Sequence, residues 1–210
     1  MSFTVGVDLG QTGEYPAFAV LGETEEKIPK RVYEVRHLER HRKESYSALI
    51  EHLRSIVSRL PDKEIEPLIA VDSTAVGQPV VDMIAEAKIP GSVYGVTVTS
   101  GDAMSRDGKQ CRVPKRELVS TVAILLQTGR LRIARELPHA ALLERELKSF
   151  RAKIMLSEKD TEEAWRERDH DDLVLAVSIA AWLRERGEDS WDRWFREEKT
   201  WPTFRIAIPR

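Results

Sequence analysis

Residues 67–72 read Pro-Leu-Ile-Ala-Val-Asp, a short and nearly continuous apolar run closed by a carboxylate. A strand with one wet face alternates polar and apolar residues, so an unbroken run of this length marks a strand covered on both faces, in the middle of a sheet. The neighbouring segments supply both sheet and cover. Phe3 to Asp8 alternates, is rich in β-branched residues, and also ends on an aspartate before the turn-forming Gly10-Gln11-Thr12-Gly13. Strands are expected at about Ala17 to Leu21 and Arg31 to Leu38, and the short connections predict an antiparallel meander. Between Ser45 and Leu60 the residues Leu49, Ile50, Leu53, Ile56, Val57 and Leu60 recur at helical spacing, and Pro61-Asp62 stops the helix.

Gly77 to Ala87 reads as a second helix and Val93 to Thr99 as a fifth strand. Ser100 to Val113 carries Arg106, Lys109 and Arg112 without apolar periodicity, which predicts a basic, mobile loop with Cys111 as an incidental thiol. Pro114 suits the first turn of a helix bearing Leu118, Val119, Val122, Leu125 and Leu126, and Gly129 ends it. Further helices are expected after Pro138 and from Asp171 to Arg186, with a charged loop or frayed helix at Ser157 to Arg168. Residues 1–187 read as one domain; residues 188–210 form an aromatic tail (Trp191, Trp194, Phe195, Trp201, Phe204) expected to fold back or to dock a partner.

Composition removes several classes. With 33 Lys plus Arg against 35 Asp plus Glu, the net charge of -2 excludes a blanket basic nucleic-acid packager. A single cysteine excludes an internal disulfide framework and a cysteine-built zinc module, and points to a reducing compartment. No apolar run reaches the roughly 18 residues of a membrane span, and no secretion signal opens the chain. A cytoplasmic protein without a membrane partner is the expectation.

Asp8, Asp72 and the pair Asp171-Asp172 each stand at the end of an element that hydrophobic patterning places in the core. Singly, such an aspartate is a turn residue or a helix cap. Together, hard oxygen donors suit Mg2+ or Mn2+, which take one or two carboxylates each and keep several waters beside substrate phosphates.

The element order, with acids closing the first and fourth strands and opening a late helix, resembles the ribonuclease H-like fold. That likeness implies an α/β domain with a central mixed sheet of five or more strands flanked by helices, in which the three acid positions meet. More narrowly, GVDLGQTGEYPAFAV at 6–20, IAVDSTAVGQPVVDMI at 69–84, VPKRELV at 113–119, GRLRIA at 129–134, LLERELKSF at 142–150 and HDDLVLAVSIAAW at 170–182 resemble, in order, the nuclease domain of the large terminase subunit of tailed bacteriophages. The resemblance implies a metal-dependent endonuclease that hydrolyses DNA phosphodiesters with two Mg2+ or Mn2+ ions, held by Asp8, Asp72 and Asp172, with Asp171 as an alternate ligand and Glu14 and His170 as auxiliary groups. No GxxxxGK[ST] phosphate loop is present, so the packaging ATPase motor is absent from this sequence. A stand-alone, monomeric protein of phage or prophage origin in a bacterial host, acting on duplex DNA beside a separate motor or packaging protein, is the corresponding expectation.

Arg106, Lys109, Arg112, Lys115 and Arg116 are candidate phosphate contacts, and Arg36, Arg40, Arg42 and Lys43 form a second basic cluster. His37 and His41 are four apart but lack a third zinc ligand in the sequence. Three other readings stand open: a RuvC-like junction resolvase, an actin- or hexokinase-like phosphotransferase using DLGQT at 8–12, and a non-catalytic nucleic-acid-binding module.

Overall fold

The structure is a computed structural model and describes residues 1–10, 15–26, 30–42, 44–62, 64–74, 76–156 and 171–186, the side chains of 150–156 excepted. The elements in chain order are β1 (Phe3–Asp8), β2 (Ala17–Glu23), β3 (Tyr33–Arg40), α1 (Tyr46–Ser58), β4 (Leu68–Asp72), α2 (Gln78–Glu86) and β5 (Ser92–Thr99). They continue with β6 (Ser105–Asp107), β7 (Gln110–Pro114), α3 (Lys115–Gln127), β8 (Leu131–Ile133), α4 (Ala140–Leu156) and α5 (Asp172–Arg186). The strands form one eight-stranded sheet in the order β6-β7-β5-β4-β1-β2-β3-β8. β1, β2 and β3 pair antiparallel, as the short connections require, while β4 lies parallel to β1 and β5 parallel to β4. The apolar run is thus central, and Ile69, Ala70 and Val71 are fully buried.

Three strands escape the sequence reading. The expected loop at Ser100–Val113 is instead the antiparallel pair β6–β7, with β7 completing the open edge of β5 in parallel. Cys111 and Val113, two apart, point into the same core as Tyr94, Val96 and Trp182, while Arg112 between them stays exposed. Polar Gln110 and charged Arg112, alternating with Cys111 and Val113 after Gly108-Lys109, hid a strand of period two. Cys111 is therefore a core thiol rather than an incidental loop residue, and burial pushes its pKa up to about 11. On the opposite edge, β8 pairs parallel with β3 through only three residues, too few for any pattern to show.

Helices cover both faces, as a sheet with a doubly buried centre demands. Leu53, Ile56 and Val57 of α1 and Val81 and Ile84 of α2 cover Val5, Val7, Phe18, Ile69 and Val71 on one face. α1 starts at Ser45, whose hydroxyl accepts from the Ala48 amide at 3.3 Å. On the other face α5 lies across β1, β2 and β4, with α3 and α4 beside it. Being enclosed all round, α5 is buried at every position from Asp172 to Leu183 but one. Gly6 permits this: a Cβ there would stand 1.9 Å from the Ala176 carbonyl oxygen, so only a glycine lets the helix rest on β1. Among the described residues no helix is long and apolar enough to cross a membrane.

Candidate metal centre

Val7 and Val71 are register partners in the parallel β1–β4 pair, so Asp8 and Asp72 close neighbouring strands at one level, with strand axes about 4.8 Å apart. α5 brings the third acid. From the contact of Gly6 with Ala176, Asp8 lies two residues on, about 6.6 Å along the strand. Asp172 lies four residues back, about 6 Å along the helix axis. The helix start therefore stands over the strand ends, and Asp8, Asp72 and Asp172 are all buried, at 6%, 8% and 3% exposure.

Local turns aim the two strand-end carboxylates. Asp8 Oδ1 accepts from the Gly10 amide at 2.8 Å. Asp72 Oδ1 accepts from the Thr74 amide at 2.8 Å and from its hydroxyl at 2.5 Å, and that hydroxyl accepts in turn from Val98 N at 2.8 Å, which ties the turn to the end of β5. The turn role and a ligand role are compatible, because each Asx-type turn engages one oxygen and thereby orients the whole carboxylate.

The start of α5 is held from outside. The Asp171 carbonyl accepts from Leu175 N, which makes Asp171 the N-cap residue, yet the Leu173 and Val174 amides both donate to Glu146 Oε2 of α4, at 3.1 Å. Arg40, the last residue of β3, donates to Asp172 Oδ2 at 2.6 Å with both side chains largely buried, and its guanidinium lies 4.8 Å from the centre of the Tyr15 ring. Lys115 Nζ stands 3.9 Å from Asp171 Oδ2. Burial pushes the Glu146 carboxyl up to about 7, against the pull of its Val174 hydrogen bond and with the charges of Asp172 and Asp171 adding to the rise. The region is thus rich in negative charge and in hard oxygen donors, which fits Mg2+ or Mn2+. Among the described residues no three of these carboxylates bring their oxygens within 4.8 Å of one another, so they form an open cluster in which water would complete any coordination.

Other expected site residues are more dispersed. Glu14, His170 and the aromatic tail lie outside the described residues. Of the five basic candidates, Lys115 adjoins the aspartates, and Arg116 pairs with Asp102 at 2.7 Å. Arg112 pairs in register with Thr97, near the same end, but on the side away from the α5 core. Arg106 and Lys109 stand over the Tyr94 ring at 5.5 and 5.6 Å, and Lys109 Nζ donates to Ser92 Oγ at the far end of β5. They do not form one patch. Sequence reading missed Glu146 and took Arg40 as part of a basic surface; the only signal for Glu146 was a lone acid on the apolar face of a helix, at i and i+3 from Leu143.

Comparisons with known proteins bear on the fold that carries these residues. Residues 5–182 match the family model described as the terminase RNaseH-like domain. No curated protein matches the sequence. Among solved structures, gp2c of the large terminase subunit of bacteriophage sf6, with calcium, aligns at 11% identity with a TM-score of 0.54, covering 86% of this chain and 88% of that one. The nuclease domain of the SPP1 bacteriophage large terminase, with bound Mn, aligns at 14% identity and TM-score 0.51, covering 89% and 88%. The human cytomegalovirus terminase nuclease domain, Mn soaked, aligns at 16% identity and TM-score 0.51, covering 91% and 85%. At these identities the structures speak for the ribonuclease H-like fold alone. The family match spans most of the chain, and the chain belongs to the terminase ribonuclease H-like domain family.

Proposed function

We propose that this protein is a divalent-metal-dependent endonuclease that hydrolyses DNA phosphodiester bonds, with Asp8, Asp72 and Asp172 as metal ligands and Asp171 as an alternate. The observation that carries the reading is the stacking of α5 on Gly6, which sets the start of that helix over two strand-end aspartates at one level of the sheet. The similar terminase nuclease domains of SPP1 and human cytomegalovirus, with Mn, and gp2c of the sf6 large terminase subunit, with calcium, support the same class of chemistry.

Two Mg2+ or Mn2+ ions held there would polarise the scissile phosphate, acidify the attacking water and stabilise the leaving oxygen. The chain's own groups prepare the site. Asp8 and Asp72 enter with their carboxylates already aimed by Gly10 and Thr74, so little orientational freedom is lost on binding. Arg40 holds Asp172 against rotation, and Glu146 fixes the helix end that carries it. Lys115 lies where it would contact a phosphate beside the scissile one, Arg116 follows it at the start of α3, and Arg106, Lys109 and Arg112 would meet the duplex farther away. With a net charge of -2 the affinity of the chain for DNA should be weak and strongly salt-dependent, which favours delivery by a partner such as an ATPase motor.

The test is cleavage of supercoiled plasmid by the purified protein with Mn2+, Mg2+ or EDTA, beside Asp72→Asn to exclude contaminants. Metal-dependent nicking that the variant lacks supports the reading. Folded protein that leaves plasmid intact in both metals overturns it for the isolated chain, and equal cleavage by Asp72→Asn overturns the site.

A further inference from the structure

On the face of the sheet opposite the aspartates, the end of β3 and the middle of α1 bring together Glu39, His41 and His52. One ligand atom from each lies within 4.8 Å of the others, and among the described residues no other group of three His, Cys, Asp or Glu side chains is so close. We infer that Glu39, His41 and His52 form a second metal site, which takes a borderline transition ion of the Zn2+ class rather than Mg2+ or Mn2+.

The donor set carries the choice of ion. Two imidazoles and one carboxylate suit Zn2+, with a fourth position left for water, whereas the aspartate cluster offers oxygen alone. The geometry is close to closed. His52 Nε2 stands 3.0 Å from Glu39 Oε2, and the His41 and His52 rings lie 4.4 Å apart between centroids at an interplanar angle of 49°. Zn2+ holds such ligands at about 2.0–2.2 Å, a sphere that modest side-chain rotations would complete.

The surroundings are arranged as ligand-supporting groups are. His41 Nδ1 lies 3.0 Å from the Arg42 carbonyl oxygen, a bond in which the ring nitrogen must donate, so Nε2 carries the lone pair. His52 is braced edge-on by Phe18 at 5.1 Å between centroids. His37 Nε2 stands 3.1 Å from the same Glu39 oxygen and acts as a positioning residue. All four side chains are half-buried, open enough for an ion to enter. Glu39 of β3 and His41, just beyond its end, flank Arg40, which crosses to Asp172 on the other face. A bound ion would clip the β3 end to α1 and so fix the strand that carries Arg40.

The test uses the full chain without a histidine tag, stripped with EDTA and dialysed against Zn2+ with excess Mg2+ present. Retention of one equivalent of Zn2+, and visible d–d absorption of four-coordinate type when Co2+ replaces it, are expected. His52→Ala and His41→Ala should abolish both, and His37→Ala should weaken Zn2+ about tenfold, as loss of a ligand-orienting partner does. Since His52 packs on Phe18, Glu39→Gln and His41→Ala serve as the variants that leave the core intact, checked by circular dichroism. Asp72→Asn should retain the ion. No retained Zn2+, equal retention in Glu39→Gln and His41→Ala, or loss in Asp72→Asn alone would each overturn the assignment.

Discussion

At its carboxyl end β3 presents consecutive residues to two chemically different neighbourhoods: Arg40 meets Asp172 beneath α5, while Glu39 and His41 meet His52 beneath α1. The first neighbourhood is made of hard oxygen donors from three distant parts of the chain, each closing or opening an element. The second is made of two imidazoles and one carboxylate within fourteen positions, none at the end of an apolar run. The difference follows from the pleat. Successive strand residues face opposite sides, so one strand end can serve two sites whose contents are set by the helices above and below. The two are chemically separable, and changes aimed at one should leave the other's metal preference intact.

Asp8→Asn and Asp72→Asn attack the oxygen side most directly. Each keeps the size and the turn-forming hydrogen bond of the side chain while removing its charge, so folding should survive. Plasmid cleavage should fall by at least about a thousandfold, equivalent to roughly 4 kcal/mol of barrier, as loss of a metal ligand at a phosphoryl centre implies. Wild-type cleavage rates in either variant would break the assignment. Arg40→Met comes next in size. It leaves Asp172, only 4% exposed at its side chain, without its guanidinium. The cost should be about 3 kcal/mol in EDTA, read as a melting temperature lower by roughly 6–12 °C. Millimolar Mn2+ should recover part of that loss, because a cation at the cluster answers the same charge. A deficit untouched by Mn2+ would mean that Arg40 does not share a field with the metal centre.

Gly6→Ala tests the placement of α5. Its Cβ would meet the Ala176 carbonyl oxygen at 1.9 Å, a backbone atom that cannot rotate away, so the helix must lift from β1. An overpacking cost of about 2–3 kcal/mol is expected, with cleavage reduced more than stability alone explains, because Asp172 moves away from Asp8. Zn2+ uptake at the histidine face should persist in whatever fraction folds. Equal loss of both functions at full stability would join the two sites that the geometry separates.

What the sequence disclosed follows the same division. Asp8, Asp72 and Asp171-Asp172 were legible because each closes or opens a run whose apolar pattern is itself a strong signal, and the pleat and helix periods do the rest. β1, β4 and α5 were legible for that reason too. β7 was not, since Lys109, Gln110 and Arg112 around Cys111 and Val113 mimic a solvated loop until the open edge of β5 is known. His52 was not, because at its place in α1 it is one more polar residue beside an apolar stripe, and only the packing of α1 over β3 brings it to Glu39. Glu146 and Arg40 belong to the same class. Their roles exist only once α4, α5 and β3 are adjacent, and no local period encodes that adjacency.

Glu146 offers the finest test of the oxygen side, because two substitutions separate its two contributions. Its Oε2 accepts from the Leu173 and Val174 amides, and its burial next to Asp172 and Asp171 raises its pKa to about 7. Glu146→Ala removes the acceptor and leaves two buried amides unsatisfied, which costs about 1–3 kcal/mol and frays the first turn of α5. Glu146→Gln keeps a neutral carbonyl acceptor for those amides and removes a carboxyl that is costly to ionise in that position. Below pH about 4.5 the carboxyl is protonated whether the chain is folded or not, and the pH dependence it imposes vanishes. Between about 4.5 and 7 the unfolded chain releases this proton and the folded one retains it, so this group makes wild-type stability fall as pH rises through that window. The Gln variant lacks that fall and should gain on the wild type as pH rises, levelling off above about 7. Melting curves in EDTA from pH 4 to 8 read the effect directly. Parallel curves for wild type and Gln, with Ala offset below both, would assign Glu146 to helix capping alone; diverging curves would show that its buried carboxyl also resists ionisation in the folded chain.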